Sequence, residues 1–199
     1  MNLPVYKLVI NEDDEDTGVD FVALVDKPAI QINWQSFKDN KQYFADEEKR
    51  VVSGPLMVAD MPIYRRDNSG EYYAVFDAAT IEQIVLKFSK NKAQNNVNLM
   101  HDGDKVVQDV FMFESFIIDR KRGINPPTGF EELTDGSWFG SYKVNNDKVW
   151  ADVKAGTFQG FSVEGVFAQV KVDDKPQEEL EGLINDILFI VEKMQQIKK

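Results

Sequence analysis

Cysteine is absent from this 199-residue chain, and with it go disulfides, thiolate metal sites and any cysteine nucleophile. Long apolar runs are missing too; none approaches the ~20 residues that a membrane-spanning helix requires. The opening "MNLPVYKLVINEDDED" has no basic stretch followed by an apolar one, so no secretory signal is expected. Positive charge is scarce: 23 Lys and Arg face 34 Asp and Glu, a formal net charge of −11. Phosphate binding depends on Lys and Arg displacing counterions, and the short basic runs "YRRDN" and "DRKRG" are interrupted by acids. These shortages argue against nucleic acid and membrane as partners and fit an intracellular protein. A protein partner stays open.

What is present suits a soluble globular chain: 43% hydrophobic and 29% charged residues, enough for one well-buried core plus appendages. "VYKLVI" and "VDFVALV" read as short strands on either side of "NEDDED" (11–16). That acidic run is a solvated loop, without the spacing and glycine of an EF-hand. Pro28 ends strand pairing for want of an N–H donor, and the polar stretch 35–50 is a connector. From Val51 strands dominate, with "VVSGPLMVAD" and then "EYYAVF" after the turn signal "RDNSGE".

The period switches in "DAATIEQIVLKFSK", where Ile81, Ile84, Val85 and Phe88 share a helical face and Asp77 is the expected N-cap. "VNLMHDGDKVVQDVFMFESFIID" returns to strands around an "HDGD" turn, and residues 120–136 form a loop by their Pro and Gly content. "SWFGSYKV" is a strand, "NNDKVWADVKAG" a short helix capped by an asparagine, and "FQGFSVEGVFAQVKV" one long strand. Beyond the hinge "VDDKPQ", Leu180, Leu183, Ile184, Ile187, Val191 and Met194 line one stripe of an amphipathic C-terminal helix. Acids lead that helix and lysines finish it, as the helix dipole favours. The chain therefore divides into a main domain, 1–172, and a hinge with helix, 173–199.

Two segments could carry chemistry. His101, the sole histidine, ends a strand-like run and is followed by Asp102, Gly103 and Asp104. A metal site from His101, Asp102 and Asp104 is the competing idea, but it supplies too few fixed ligands for zinc, so neither metal nor cofactor is expected. Ser162 lies in "GTFQGFSVEG". Alternate residues of a strand share a face, which sets Ser162, Glu164, Val166 and Ala168 against Phe161, Val163 and Phe167. With the aromatic face inward, Ser162 and Glu164 look outward together. A serine hydroxyl becomes a nucleophile only when a base takes its proton, and histidine is poised for that near neutrality. The glycines around Phe161, Gly160 and Gly165, leave room for a substrate backbone or an oxyanion. Composition and spacing alone favour a plainer reading, a solvent-facing Ser-x-Glu with glycine at a bulge. Glu114 also stands out, because it interrupts the apolar series Val110, Met112, Phe116 and Ile118.

"VNLMHDGD" followed some sixty residues later by "VWADVKAGTFQGFSVEGVF" closely resembles the prohead (capsid-maturation) serine proteases of tailed bacteriophages, over roughly Val51 to Val172. The resemblance implies an α+β fold, an assemblin-like, mostly antiparallel β-barrel with surrounding helices, as in the herpesvirus maturation proteases. It implies a serine endopeptidase with Ser162 as nucleophile and His101 as general base. In many members the acid follows the serine in a Glu-x-Ser-Leu-Val-x-x-Pro-Ala-like segment, which nothing downstream of Ser162 matches. "VDFVALVDKPAI" does match, which points to Asp20 as the acid on a strand, 19–25, moved to the N-terminus; Glu164 and Glu114 are the alternatives. Substrates implied by the resemblance are the major capsid protein, the scaffold protein and the chain itself, cut inside the assembling prohead in the host cytoplasm. The herpesvirus relatives work as dimers, which makes a homodimer an expectation. The rival reading is a non-catalytic capsid-assembly or scaffold protein that retains the protease fold.

Overall fold

The alternating and apolar segments form ten strands and two α-helices in the computed structural model, which describes residues 3–28 (apart from 12, 13 and 15), 49–103 (apart from 69) and 106–172. Nearly all of the connector expected over 35–50, Asp104, and the whole hinge and helix expected over 173–199 lie outside the described residues. Three sheets are built. In the first, β10 (Ala168–Lys171), β1 (Val5–Val9), β5 (Gly70–Val75) and β4 (Ile63–Asp67) lie in that order. The second has β6 (Val97–Leu99), β2 (Gly18–Val25) and β9 (Gly160–Val166); the third has β3 (Val51–Met57), β8 (Trp138–Val144) and β7 (Val110–Ile117). Pairing is mostly antiparallel, with parallel contacts only between β1 and β5 and between β2 and β6 among the described strands.

The helix α1 (Ala78–Lys90) starts where Asp77 accepts a hydrogen bond from the Thr80 N–H at 2.9 Å, and it buries Ile81, Ile84 and Phe88. Each such burial contributes about 1.5–3 kcal/mol. The helix α2 (Asp147–Ala155) is capped in the same way by Asn146, which accepts from the Val149 N–H, and ends at Gly156 in the left-handed region. The main core gathers residues of all three sheets: Leu8 and Ile63 of the first, Val22 and Leu24 of the second, Val52 and Trp138 of the third. A smaller cluster of Val58, Ile118, Phe130, Leu133 and Phe139 covers the opposite face of β8. Among the described residues no helix is long and apolar enough to cross a membrane.

Two expectations are corrected. The sheets do not close into a barrel: β3 and β9 are both edge strands of their sheets and meet through side chains, with Gly54 against the Phe161 ring, rather than through a ladder. The mixed α+β class stands; the closed barrel does not. The segment 158–172 is also two strands rather than one. Phe167 turns inward between them to meet Phe76 edge-on at 4.9 Å, and the chain passes from the second sheet to the first.

Candidate functional site

Strand β9 runs antiparallel to β2, with Ala23 opposite Ser162 and Phe21 opposite Glu164. On the far side of β2, Ala23 also stands opposite Asn98 of β6. Asn98, Ala23 and Ser162 thus form one row across the sheet, with side chains on one face. Phe161 is buried on the other face, its ring tilted at 39° against that of Tyr142 with centroids 4.8 Å apart. The aromatic face is the core, and Ser162 and Glu164 point away from it together.

His101 sits two residues beyond β6, and its Nδ1 lies 2.7 Å from Glu164 Oε1. A ring nitrogen at that distance from a carboxylate carries the proton, which leaves Nε2 as the lone-pair nitrogen of the neutral ring. The two side chains are 45% and 26% exposed, so the pair faces solvent. Among the described residues His101 Nδ1 meets Glu164, and no hydrogen bond joins His101 to the Ser162 hydroxyl. The backbone around the histidine is unusual: Met100 and His101 both take left-handed φ values, 52° and 58°.

The other candidates fall in different places. Asp20 is the extra residue of a β-bulge, between the pairs Val19–Gly165 and Phe21–Glu164, and is exposed. Its carbonyl accepts from Asn96 Nδ2 at 3.0 Å. The carboxylate recorded on His101 Nδ1 is that of Glu164. Glu114 lies in the third sheet and is exposed, because a bulge at Phe113 reverses the alternation of β7. Glu114 then shares its face with Phe116 instead of Met112, so it does not interrupt a buried series. Asp102 belongs to the turn, its N–H bonded to the Leu99 carbonyl at 2.9 Å.

Gly160 opens β9 opposite Val25. Gly165 has a cause in the fold itself: a Cβ there would overlap the Gly18 carbonyl oxygen and stand 2.9 Å from Val19 Cα. Its bareness lets β9 approach β2 at the bulge.

A cavity of about 460 Å³ opens beside Ser162, between β9 and the end of β3. Its walls are largely apolar, with Leu56, Met57, Phe76 and Phe167 among them, and Arg65 is its basic residue. No group of three or more metal-binding side chains occurs among the described residues.

Sequence reasoning missed Asn98. It is fully buried, and its Nδ2 donates to Glu164 Oε1 at 2.7 Å and to the Gly103 carbonyl at 3.0 Å. An asparagine in a short apolar strand three residues before the only histidine was the available signal.

A family profile described as "Putative phage serine protease XkdF" matches residues 41–171. Two curated relatives, both of Bacillus subtilis (strain 168), are similar. "Uncharacterized protein YqbD" is 28% identical over 88% of this chain and 54% of its own length. "Phage-like element PBSX protein XkdF" is 26% identical over 74% of this chain and 52% of its own length. The chain thus spans about half the length of these relatives. No solved structure matches it.

Proposed function

The chain belongs to the XkdF phage serine protease family, and we propose that it is an endopeptidase of the Ser-His-acid type with Ser162 as nucleophile, His101 as base and Glu164 as the orienting acid. The observation that carries this reading is the 2.7 Å contact of His101 Nδ1 with Glu164, on the strand face that also bears Ser162. Glu164 takes the role in preference to Asp20 and Glu114.

Ser162 Oγ bonds to the scissile carbonyl carbon while its proton passes to His101 Nε2. The negative oxygen of the tetrahedral intermediate accepts hydrogen bonds from main-chain N–H groups. The C–N bond then breaks, and Nε2–H gives its proton to the departing amine. Water, deprotonated by Nε2, releases the acyl group and restores the serine. Throughout, the Glu164 carboxylate holds the Nδ1 proton and stabilises the transient imidazolium. Catalytic contacts are often loose before substrate binds, and here the Ser162–His101 contact closes with the peptide in place.

The peptide lies in the cavity between β9 and the end of β3, on the side of β9 that has no ladder partner among the described strands. A bulky apolar side chain enters the cavity beneath, and Arg65 attracts an acidic neighbour. The proposed substrates are capsid-protein and scaffold segments and the chain itself, cut during prohead maturation inside the host cell. The test is co-expression with the cognate capsid and scaffold proteins. Shortened products should appear with the wild type and vanish with Ser162→Ala. Identical full-length products from both would overturn the protease reading and favour a non-catalytic assembly role.

A further inference from the structure

Two consecutive non-glycine residues in the left-handed region, Met100 and His101, are costly, because Cβ crowds the following carbonyl. Such backbone persists only where its surroundings over-determine it. Four hydrogen bonds do so here. The Met100 N–H donates to the Leu24 carbonyl at 3.0 Å, the Asp102 N–H to the Leu99 carbonyl at 2.9 Å and the Gly103 N–H to the His101 carbonyl at 2.8 Å. The fourth, from outside the loop, is the side-chain bond from Asn98 Nδ2 to the Gly103 carbonyl.

The same Nδ2 holds Glu164 Oε1, the oxygen that meets His101 Nδ1. Both hydrogens of one buried amide are therefore spent, one on the loop that carries the histidine and one on the carboxylate that orients it. Turning the amide over would set Oδ1 against two oxygens, so its orientation is fixed. The orientation has a cost: Oδ1 is buried with no partner among the described residues, a position that natural folds seldom tolerate without a reason.

We propose that Asn98 is the positioning residue of the catalytic pair, a clamp that fixes Glu164 and the 100–103 loop together so that His101 keeps its proton on Nδ1 and offers Nε2 to Ser162. The clamp acts through Glu164 and touches no reacting atom. The proposal rests on the Ser162–His101–Glu164 reading for its purpose, but its central claim concerns the imidazole and is measurable without turnover.

His101 is the only histidine, so a long-range 15N–1H spectrum of the whole chain reports a single imidazole. The wild type in its neutral form should show Nδ1 protonated and Nε2 bare. Asn98→Leu keeps side-chain volume and removes both donors; it should give a mixture of tautomers or the reverse one. Asn98→Thr, whose β-branched side chain suits a strand but is too short to reach the carboxylate, should move the tautomer the same way and serves if the leucine variant does not fold. On any peptide that the wild type cleaves, kcat should fall about ten- to hundred-fold, the equivalent of losing one hydrogen bond to a charged group, with KM little changed. A merely structural asparagine would lower the unfolding midpoint and leave the tautomer alone, and that result overturns the proposal. A tautomer shift in a chain that cleaves nothing would uphold the clamp and reject the protease reading; an unmoved tautomer with intact Ser162-dependent cleavage would do the opposite.

Discussion

Gly165→Ala separates two reasons for a glycine beside a candidate nucleophile. If Gly165 makes room for substrate, alanine should spare stability and impair cleavage. If it lets β9 approach β2, alanine should damage the fold itself. The added Cβ would overlap the Gly18 carbonyl oxygen and stand 2.7 Å from its carbon, whereas carbon atoms pack at roughly 3.5–4.0 Å. The obstructing atoms are main chain, so no side chain can swing aside. The strands must part by roughly 1 Å. Overpacking of this kind costs about 1–3 kcal/mol, and weakening two ladder hydrogen bonds adds about 1–3 kcal/mol. Against this, alanine restricts the unfolded chain and returns about 0.4–1 kcal/mol. The balance is a loss of about 1–6 kcal/mol, a large share of the roughly 5–15 kcal/mol that holds a typical domain. Urea unfolding followed by tryptophan fluorescence reads it directly. With a slope of roughly 2 kcal/mol per molar, the midpoint should fall by at least about 0.5 M. A midpoint at or above the wild-type value would refute the close-approach argument and restore the substrate-room reading.

Two other perturbations test parts of the fold. Burial raises the Asp77 carboxyl, but hydrogen bonds from Lys7 and Thr80 overcome that and hold it below its ordinary value. Its stabilisation is therefore present above the unfolded carboxylate value near 4 and is lost as pH falls through the lower folded one. Asp77→Ala should cost about 1 kcal/mol at neutral pH, and the gap from wild type, measured by denaturant midpoints, should shrink as pH drops below about 4; a gap that widened would contradict the assignment. The Tyr142 hydroxyl is fully buried, has no hydrogen-bond partner among the described residues, and is pushed well above its ordinary pKa by burial. Tyr142→Phe removes an unsatisfied polar group and should leave the thermal midpoint unchanged or raise it, by an amount equivalent to about 1–2 kcal/mol. A clear fall would reveal a partner for that oxygen.

Much of this chain could be read locally. The 3.6-residue period of 78–90 and the short carboxylate at Asp77 dictate α1 and its cap, because both are properties of neighbouring residues. The outward pairing of Ser162 with Glu164 follows equally from strand alternation. Alternation fails where a bulge inserts one residue, and two of the bulges, at Phe113 and Asp20, are the places where the face of a carboxylate was not legible. A bulge depends on the register with a partner strand far away in sequence.

The acid on His101 was undecidable for the same reason. Asp20, Glu114 and Glu164 are all carboxylates on strands, and only the loop geometry after β6 sets Glu164 against Nδ1. Whether the sheets close was likewise beyond local pattern, since apolar edges look alike whether they meet by ladder or by packed side chains. By itself the sequence determined the two described helices and their caps, most of the strands, the acidic charge and the presence of a single histidine. Tertiary structure alone decided that Gly165 is bare for β2, that β9 lacks a ladder partner on the side facing the cavity, and that buried Asn98 ties Glu164 to the histidine loop. Each of those rests on contacts between segments tens of residues apart, where strand register and excluded volume, rather than propensity, choose the neighbour.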